Sequence, residues 1–130
     1  MSSETILIVD DNLINLKLLR ILLTVEGYLV HTAGDANEAL SLLETINPHL
    51  ILMDLQLPDI DGLELTRMLK ANPLYTDTII IAITAYAMKG DDQKALRAGC
   101  NGYISKPVDI NQILEVIRSF LTKSNKTQKG

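Results

Sequence analysis

Three aspartates, a threonine and a lysine carry the chemistry open to this chain. Asp10 and Asp11 end one apolar run (TILIVDD), Asp54 closes a second (LILMD), Thr84 closes a third (IIIAIT), and Lys106-Pro107 follows a short fourth (GYIS). Three carboxylates gathered in one place repel, at a cost on the order of 4 kcal/mol for a pair about 4 Å apart at an effective dielectric near 20. A cation must offset this. A hard divalent ion suits best, because Mg²⁺ takes one or two carboxylates and keeps several waters. Lys106 adds a compact positive charge. A carboxylate between Mg²⁺ and a lysine has the parts that neutralise a transferring phosphoryl group, with Asp54 as the nucleophile that forms an acyl phosphate. The donor must come from elsewhere, since the chain has neither a G-x-x-x-x-G-K-[ST] loop nor a dinucleotide glycine fingerprint.

Each residue also has a plainer reading. Asp11 alone is as readily a helix N-cap, Thr84 alone suits any strand, Lys106 alone could be a surface lysine, and Tyr103 could be ordinary packing. The tandem Asp10-Asp11 resists this, because one cap suffices and the second charge has no structural task. Asp54 resists it as well, because an acid ending a wholly apolar strand needs a reason to be there.

The elements that must position these residues alternate along the chain. Residues 5–10, 50–54 and 79–84 are nearly continuous apolar runs, the mark of strands covered on both faces of a parallel sheet. Residues 28–33 (YLVHTA) read as an edge strand and 102–105 (GYIS) as a short one. Helical spacing fills 12–26, 36–46, 62–71, 89–98 and 109–121. Gly27 and Gly99 stand where helix ends need positive φ, Asn47-Pro48 and Asn72-Pro73 stop helices, and Asp109 is a plausible N-cap. The order is βαβαβαβαβα. Short links and right-handed crossovers then give an α/β fold, a doubly wound parallel sheet in three layers. Ligands of such a sheet bind beyond the carboxyl ends of its strands, which is where all five chemical residues fall.

Length and composition fit one domain. The chain has 130 residues, 47% of them hydrophobic and 22% charged, enough for one core and too few for two. A net charge of −4 with no basic face argues against nucleic acid, and no apolar run is long enough for a bilayer. The single cysteine, Cys100, excludes an internal disulfide and points to a reducing cytoplasm. His31 and His49 stand apart from any zinc pattern, and His49 beside Pro48 reads as loop chemistry. The domain is expected over residues 1–122, with 123–130 a polar, frayed tail.

Taken together, ILIVDDN, LILMDLQLPDIDGLE, IIAITAYAMKGD and GYISKPVD resemble the response-regulator receiver family, the chemotaxis-type receivers of two-component signalling, over residues 6 to about 121. The resemblance implies strand order 2-1-3-4-5, as in flavodoxin-like folds, and a single-domain receiver. It implies Asp54 as phosphoacceptor, Asp11 and Asp54 as carboxylate ligands of Mg²⁺ (or Mn²⁺), Asp10 acting mainly through a water, and the carbonyl of Gln56 as a further ligand. Lys106 would pair with Asp54 and then with the phosphoryl group. Thr84 would turn its hydroxyl onto that group, Tyr103 would move inward, and a cis bond would precede Pro107. Gln56 and Tyr86 occupy variable positions that tune the lifetime of the acyl phosphate. A histidine kinase or histidine phosphotransfer protein would be the donor. Output would pass to a downstream protein through the face of helix four, strand five and helix five, with loop 85–90 shifting, from a monomer or a phosphorylation-dependent dimer. No enzyme activity beyond self-phosphorylation and self-dephosphorylation is expected.

Three rival readings are open on the residues. A Mg²⁺-dependent phosphohydrolase of similar topology commonly places an acid/base two residues after the nucleophile, where this chain has Gln56, and Asp10-Asp11-Asn12 lacks the D-x-D spacing of such enzymes. An interaction module without phosphorylation would not need the intact Asp10, Asp11, Asp54, Thr84 and Lys106. A flavin-binding protein is remoter still, lacking the phosphate loop after the first strand. The first helix has more apolar residues than one ~100° stripe holds. Part of the excess is expected against a neighbouring helix, and the rest could dock a partner's helices beside Asp11, Asn12 and Asn15.

Overall fold

A strand covered on both sides must be apolar at every position, and the central runs meet that demand. In the computed structural model, which describes residues 4–84, 91–106 and 109–129 (backbone alone at 91–92 and 123–129), β3 (Leu50–Asp54) and β4 (Ile79–Thr84) are buried throughout. In β1 (Thr5–Val9) only the first residue is partly open. β2 (Leu29–Ala33) and β5 (Gly102–Ser105) are more exposed and form the two edges. The five strands are parallel in the order β2-β1-β3-β4-β5. The alternation of strands and helices and the strand order implied by the resemblance both agree with this sheet.

The intervening helices are α1 (Leu13–Val25), α2 (Ala36–Leu43), α3 (Gly62–Lys70), α4 (Asp91–Ala98) and α5 (Ile110–Lys129). Two apolar clusters divide by strand parity. Ile6, Ile8, Leu50, Leu52, Ile81 and Ile83 face Leu16, Leu19 and Leu23 of α1 and Ile113, Ile117 and Leu121 of α5. Leu7, Val9, Ile51, Met53, Ile80 and Ala82 face α2, α3 and α4 through residues such as Ala36, Ala39, Leu65, Leu69 and Ala95. Successive strand side chains point to opposite faces, so the parity also assigns each strand-end residue to one layer or the other.

Helix ends follow local chemistry. Gly27 and Gly99 close α1 and α4 with φ of 100° and 113°, and Asp109 caps α5 by accepting from Asn111 N–H at 2.9 Å. Three boundaries differ from expectation. The cap of α1 is Asn12, whose side chain accepts from the amides of Ile14 and Asn15, so Asp11 does no capping. α2 stops at Leu43, because Thr45 and Ile46 turn their amides back onto the Leu42 carbonyl ahead of Pro48. α5 continues to Lys129 instead of ending at Leu121; the stretch beyond holds no Pro or Gly before Gly130 and several fair helix formers. The start of α4 expected at residues 89–90 lies outside the described residues. His49 is structural: its Nδ1 accepts from Thr5 N–H at 3.0 Å and fixes the start of β1.

Because Asn12 both starts α1 and ends the loop that carries Asp10 and Asp11, Asn12→Ala should cost about 1 kcal/mol. The expected result is a lower urea midpoint with an unchanged slope.

Candidate functional site

Adjacent parallel strands lie about 4.8 Å apart, and Val9 pairs with Met53. The next residue of each strand, Asp10 and Asp54, must therefore be neighbours at the carboxyl edge. Both are buried, at 4% and 3% exposure. One oxygen of each carboxylate is spent on its own loop: Asp10 Oδ1 accepts from Asn12 N–H and Asp54 Oδ1 from Gln56 N–H, each at 2.9 Å. The other oxygen of each faces Lys106, whose Nζ lies 3.6 Å from Asp10 Oδ2 and 3.3 Å from Asp54 Oδ2. Asn15 Nδ2 reaches the same Asp10 oxygen at 3.5 Å. Lys106 is held in place by its backbone, since its N–H donates to the Thr84 carbonyl at 2.7 Å and extends the β4–β5 pairing by one residue.

Asp11 joins the pair from an exposed position. One carboxylate oxygen from each of Asp10, Asp11 and Asp54 lies within 4.8 Å of the others. Three carboxylates against one ammonium leave two unbalanced negative charges, which equals the charge of one divalent cation. The donors are all oxygen, as a hard cation requires, so these residues fit Mg²⁺. Burial pushes the Asp54 carboxyl above the usual carboxylate range, the Gln56 amide pulls it back, Asp10 adds to the rise and Lys106 opposes it.

Thr84 ends β4 and is 3% exposed. Strand parity sets Thr84 and half-buried Tyr103 on the α2–α4 side of the sheet, and Tyr103 packs with that cluster. Asp10, Asp54 and Lys106 belong to the α1–α5 side. There a cleft of about 250 Å³ opens between Asp10, Asn15 and Lys106 and the apolar Leu18, Ile83 and Ile110. Gln56 is exposed in the loop after β3. Pro107 with its expected cis bond, Tyr86 and loop 85–90 lie outside the described residues.

The extra apolar residues of α1 do not pack on a neighbouring helix. Leu13, Ile14, Leu18, Ile21 and Val25 are 70%, 77%, 47%, 61% and 78% exposed. Ile14, Leu18, Ile21 and Val25 recur at helical spacing along one solvent face that begins at the site.

Gly62 was not singled out from the sequence. A Cβ there would overlap the Asp54 carbonyl oxygen and stand 2.7 Å from Leu55 Cα, so glycine lets α3 start directly behind the aspartate. The D-G pair at residues 61–62 was the available signal.

Comparison with known proteins agrees with this geometry. The family description "Response regulator receiver domain" matches residues 6–118. The chain is 42% identical over 119 residues to the polar-differentiation response regulator DivK of Brucella ovis, covering 92% of this chain and 97% of that protein. It is similar to a CheY-like receiver domain protein from Methanospirillum hungatei, with a TM-score of 0.89 and 37% identity over 97% and 99% of the two chains. It is also similar to the receiver domain of a sensor histidine kinase from Pseudomonas aeruginosa, solved with a magnesium ion coordinated in its active-site cleft; the TM-score is 0.82, with 33% identity over 91% and 97% of the chains.

A raised carboxyl pKa means that the folded state holds the Asp54 proton more tightly than the unfolded chain does. Ionised Asp54 therefore destabilises the fold at every pH above its folded pKa, and the penalty fades as pH falls through that value towards the ordinary 3.8. In a chelator-containing buffer at pH 7, Asp54→Asn should raise Tm by roughly 3 °C. The gain should shrink on acidification across that window, as measured by circular dichroism melts.

Proposed function

Because the chain belongs to the response regulator receiver family, a receiver of two-component signalling, we propose that Asp54 is its phosphoacceptor and that Asp10, Asp11, Lys106 and Thr84 serve that acceptor. The single observation that carries the reading is the gathering of buried Asp10 and Asp54 around Lys106, with exposed Asp11 beside the two carboxylates, at the edge of the sheet. Asp54 attacks the phosphorus of a phosphohistidine; its O–P bond forms as the P–N bond breaks, and the imidazole leaves with the electron pair. Asp10, Asp11, Asp54 and the Gln56 carbonyl would hold Mg²⁺ (Mn²⁺ has the same donor preference), which when bound supplies charge neutralisation for the transferred oxygens. Lys106 follows the negative charge from Asp54 to the phosphoryl group. Thr84 donates its hydroxyl to that group, and Tyr103 moves into the space this opens.

The added group brings about −1.5 to −2 charges and biases a rim with two arrangements. The output is carried by the α4–β5–α5 face to a downstream protein. A histidine kinase or phosphotransfer protein is the donor, and the exposed Ile14–Leu18–Ile21 face of α1 receives its helices next to the site. The chain acts in the cytoplasm, which suits the free Cys100 thiol, as a monomer or a dimer formed on phosphorylation. Its folding unit is residues 1–122, with 123–130 a polar appendage. It catalyses only its own phosphorylation and dephosphorylation; the exposed Gln56 offers no acid for turnover of external substrates.

Acetyl phosphate with Mg²⁺ should add one labile phosphoryl by intact-mass analysis, with no label on Asp54→Ala or after chelation. A label that survives Asp54→Ala would overturn the assignment. Ile14→Asp should slow transfer from a phosphohistidine protein roughly five- to thirtyfold, as loss of one anchor of about 1–2 kcal/mol does, while labelling by acetyl phosphate stays unchanged.

A further inference from the structure

The loop after β3 carries Gln56, and its two ends are fixed differently from its middle. At one end Leu55 N–H donates to Ile83 O, and at the other Gly62 N–H returns to Leu55 O while Asp61 caps α3 through Glu64 N–H. In the middle, residues 56–60, half-buried Leu57 and Ile60 rest on the core while Gln56, Pro58 and Asp59 are exposed. There the Asp59 carboxylate reaches across to another element. Its Oδ1 accepts from Ala36 N–H at 3.0 Å and its Oδ2 from Asn37 N–H at 2.9 Å, the first two amides of α2. Oδ1 also accepts from Ile60 N–H at 2.8 Å in its own loop.

The first four amides of a helix have no partner inside it. In α2 the side chain of its own cap, Asp35, meets Glu38 N–H, while Ala39 N–H makes the first bond of the helix to the Asp35 carbonyl. Asp59 accepts from Ala36 and Asn37 from a different loop. A carboxylate across the positive end of a helix is favoured by the dipole as well as by the bonds. Desolvation works to raise the Asp59 carboxyl, and the Ala36, Asn37 and Ile60 amides more than offset it, holding it below the usual carboxylate range.

The geometry points to Asp59 as a positioning residue: by clamping the middle of the β3–α3 loop to the start of α2, it fixes the backbone of Gln56 for the cation site. This rests on the proposed function, which makes Gln56 a ligand through its carbonyl. Asp59 makes no contact with the acceptor or the three carboxylates' cation site and acts on Gln56 through three peptide units of the chain. Partners one step outside a metal site change its affinity by about 10–100-fold, and a tie further out acts less.

The test measures Mg²⁺ affinity calorimetrically on the unphosphorylated chain, beside Tm. Asp59→Ala should weaken Mg²⁺ binding roughly fivefold. Asp59→Asn keeps Oδ1 and should fall between Asp59→Ala and the parent chain. Asp35→Ala removes the cap of α2 without touching the loop; it should lower Tm at least as much and leave Mg²⁺ affinity unchanged. Equal losses of affinity in Asp59→Ala and Asp35→Ala would overturn the inference and leave Asp59 as a helix cap only. Parent-like affinity in Asp59→Ala would overturn it too. A parent chain that binds no Mg²⁺ would instead overturn the reading of the site beneath it.

Discussion

Parallel pairing between β1 and β3 is the constraint from which the rest of the site follows. Two strands that run the same way, in register from Ile6–Leu50 to Val9–Met53, end side by side, so the residues after those pairs cannot avoid each other. Both are aspartates, and both are buried. Repulsion on the order of 4 kcal/mol is at stake for such a pair at an effective dielectric near 20. The fold offsets it with one backbone amide and one shared ammonium for each carboxylate, and stops short of neutrality. Had the chain removed that charge, with asparagines at both strand ends, Lys106 would balance Asp11 alone and the rim would hold no excess negative charge to draw a cation.

What tolerates this unrest is the core beneath it. Every residue of β3 and β4 is buried, and two separate apolar layers clamp the sheet from both sides. An unfavourable pair at one edge costs a few kcal/mol against a scaffold whose strands cannot shift without exposing both layers. Gly62 extends the same logic to the loop. Its missing side chain lets α3 begin against the Asp54 backbone, so the aspartate is backed by a helix end instead of by a mobile turn.

Most of the fold was legible because its signals are local and redundant. Continuous apolar runs, turn residues and Gly27 and Gly99 at helix ends each pointed to the same alternating architecture, and the strand ends named Asp10, Asp11, Asp54, Thr84 and Lys106. Non-local or near-degenerate choices were harder to read. Asp11 and Asn12 are both good caps, and only the backbone angles decide between them. The extension of α5 turned on residues of middling propensity with no strong stop signal. The solvent face of α1 was hidden because an apolar residue reads alike whether a helix of the same chain or another protein covers it. The clamp from Asp59 joins residues more than twenty positions apart, and no spacing rule reports such a contact. The strand order itself came from the resemblance, since alternation alone leaves it undetermined.

Strand parity gives the site its division of labour. Asp10, Asp54 and Lys106 lie on the side of α1 and α5, together with the cleft and the exposed face of α1, whereas Thr84 and Tyr103 lie on the side of α2, α3 and α4. A phosphoryl group brought in along α1 would therefore meet its acceptor on one side of the sheet, and the residues proposed to respond sit on the other. The link between them is one short backbone hydrogen bond: Lys106, which holds both aspartates, donates its own N–H to the carbonyl of Thr84. In the proposed transfer, any movement of the lysine as charge passes from carboxylate to phosphoryl would act on that link. Input and response can thus occupy opposite faces without a long pathway, because the sheet that separates them is a single strand thick.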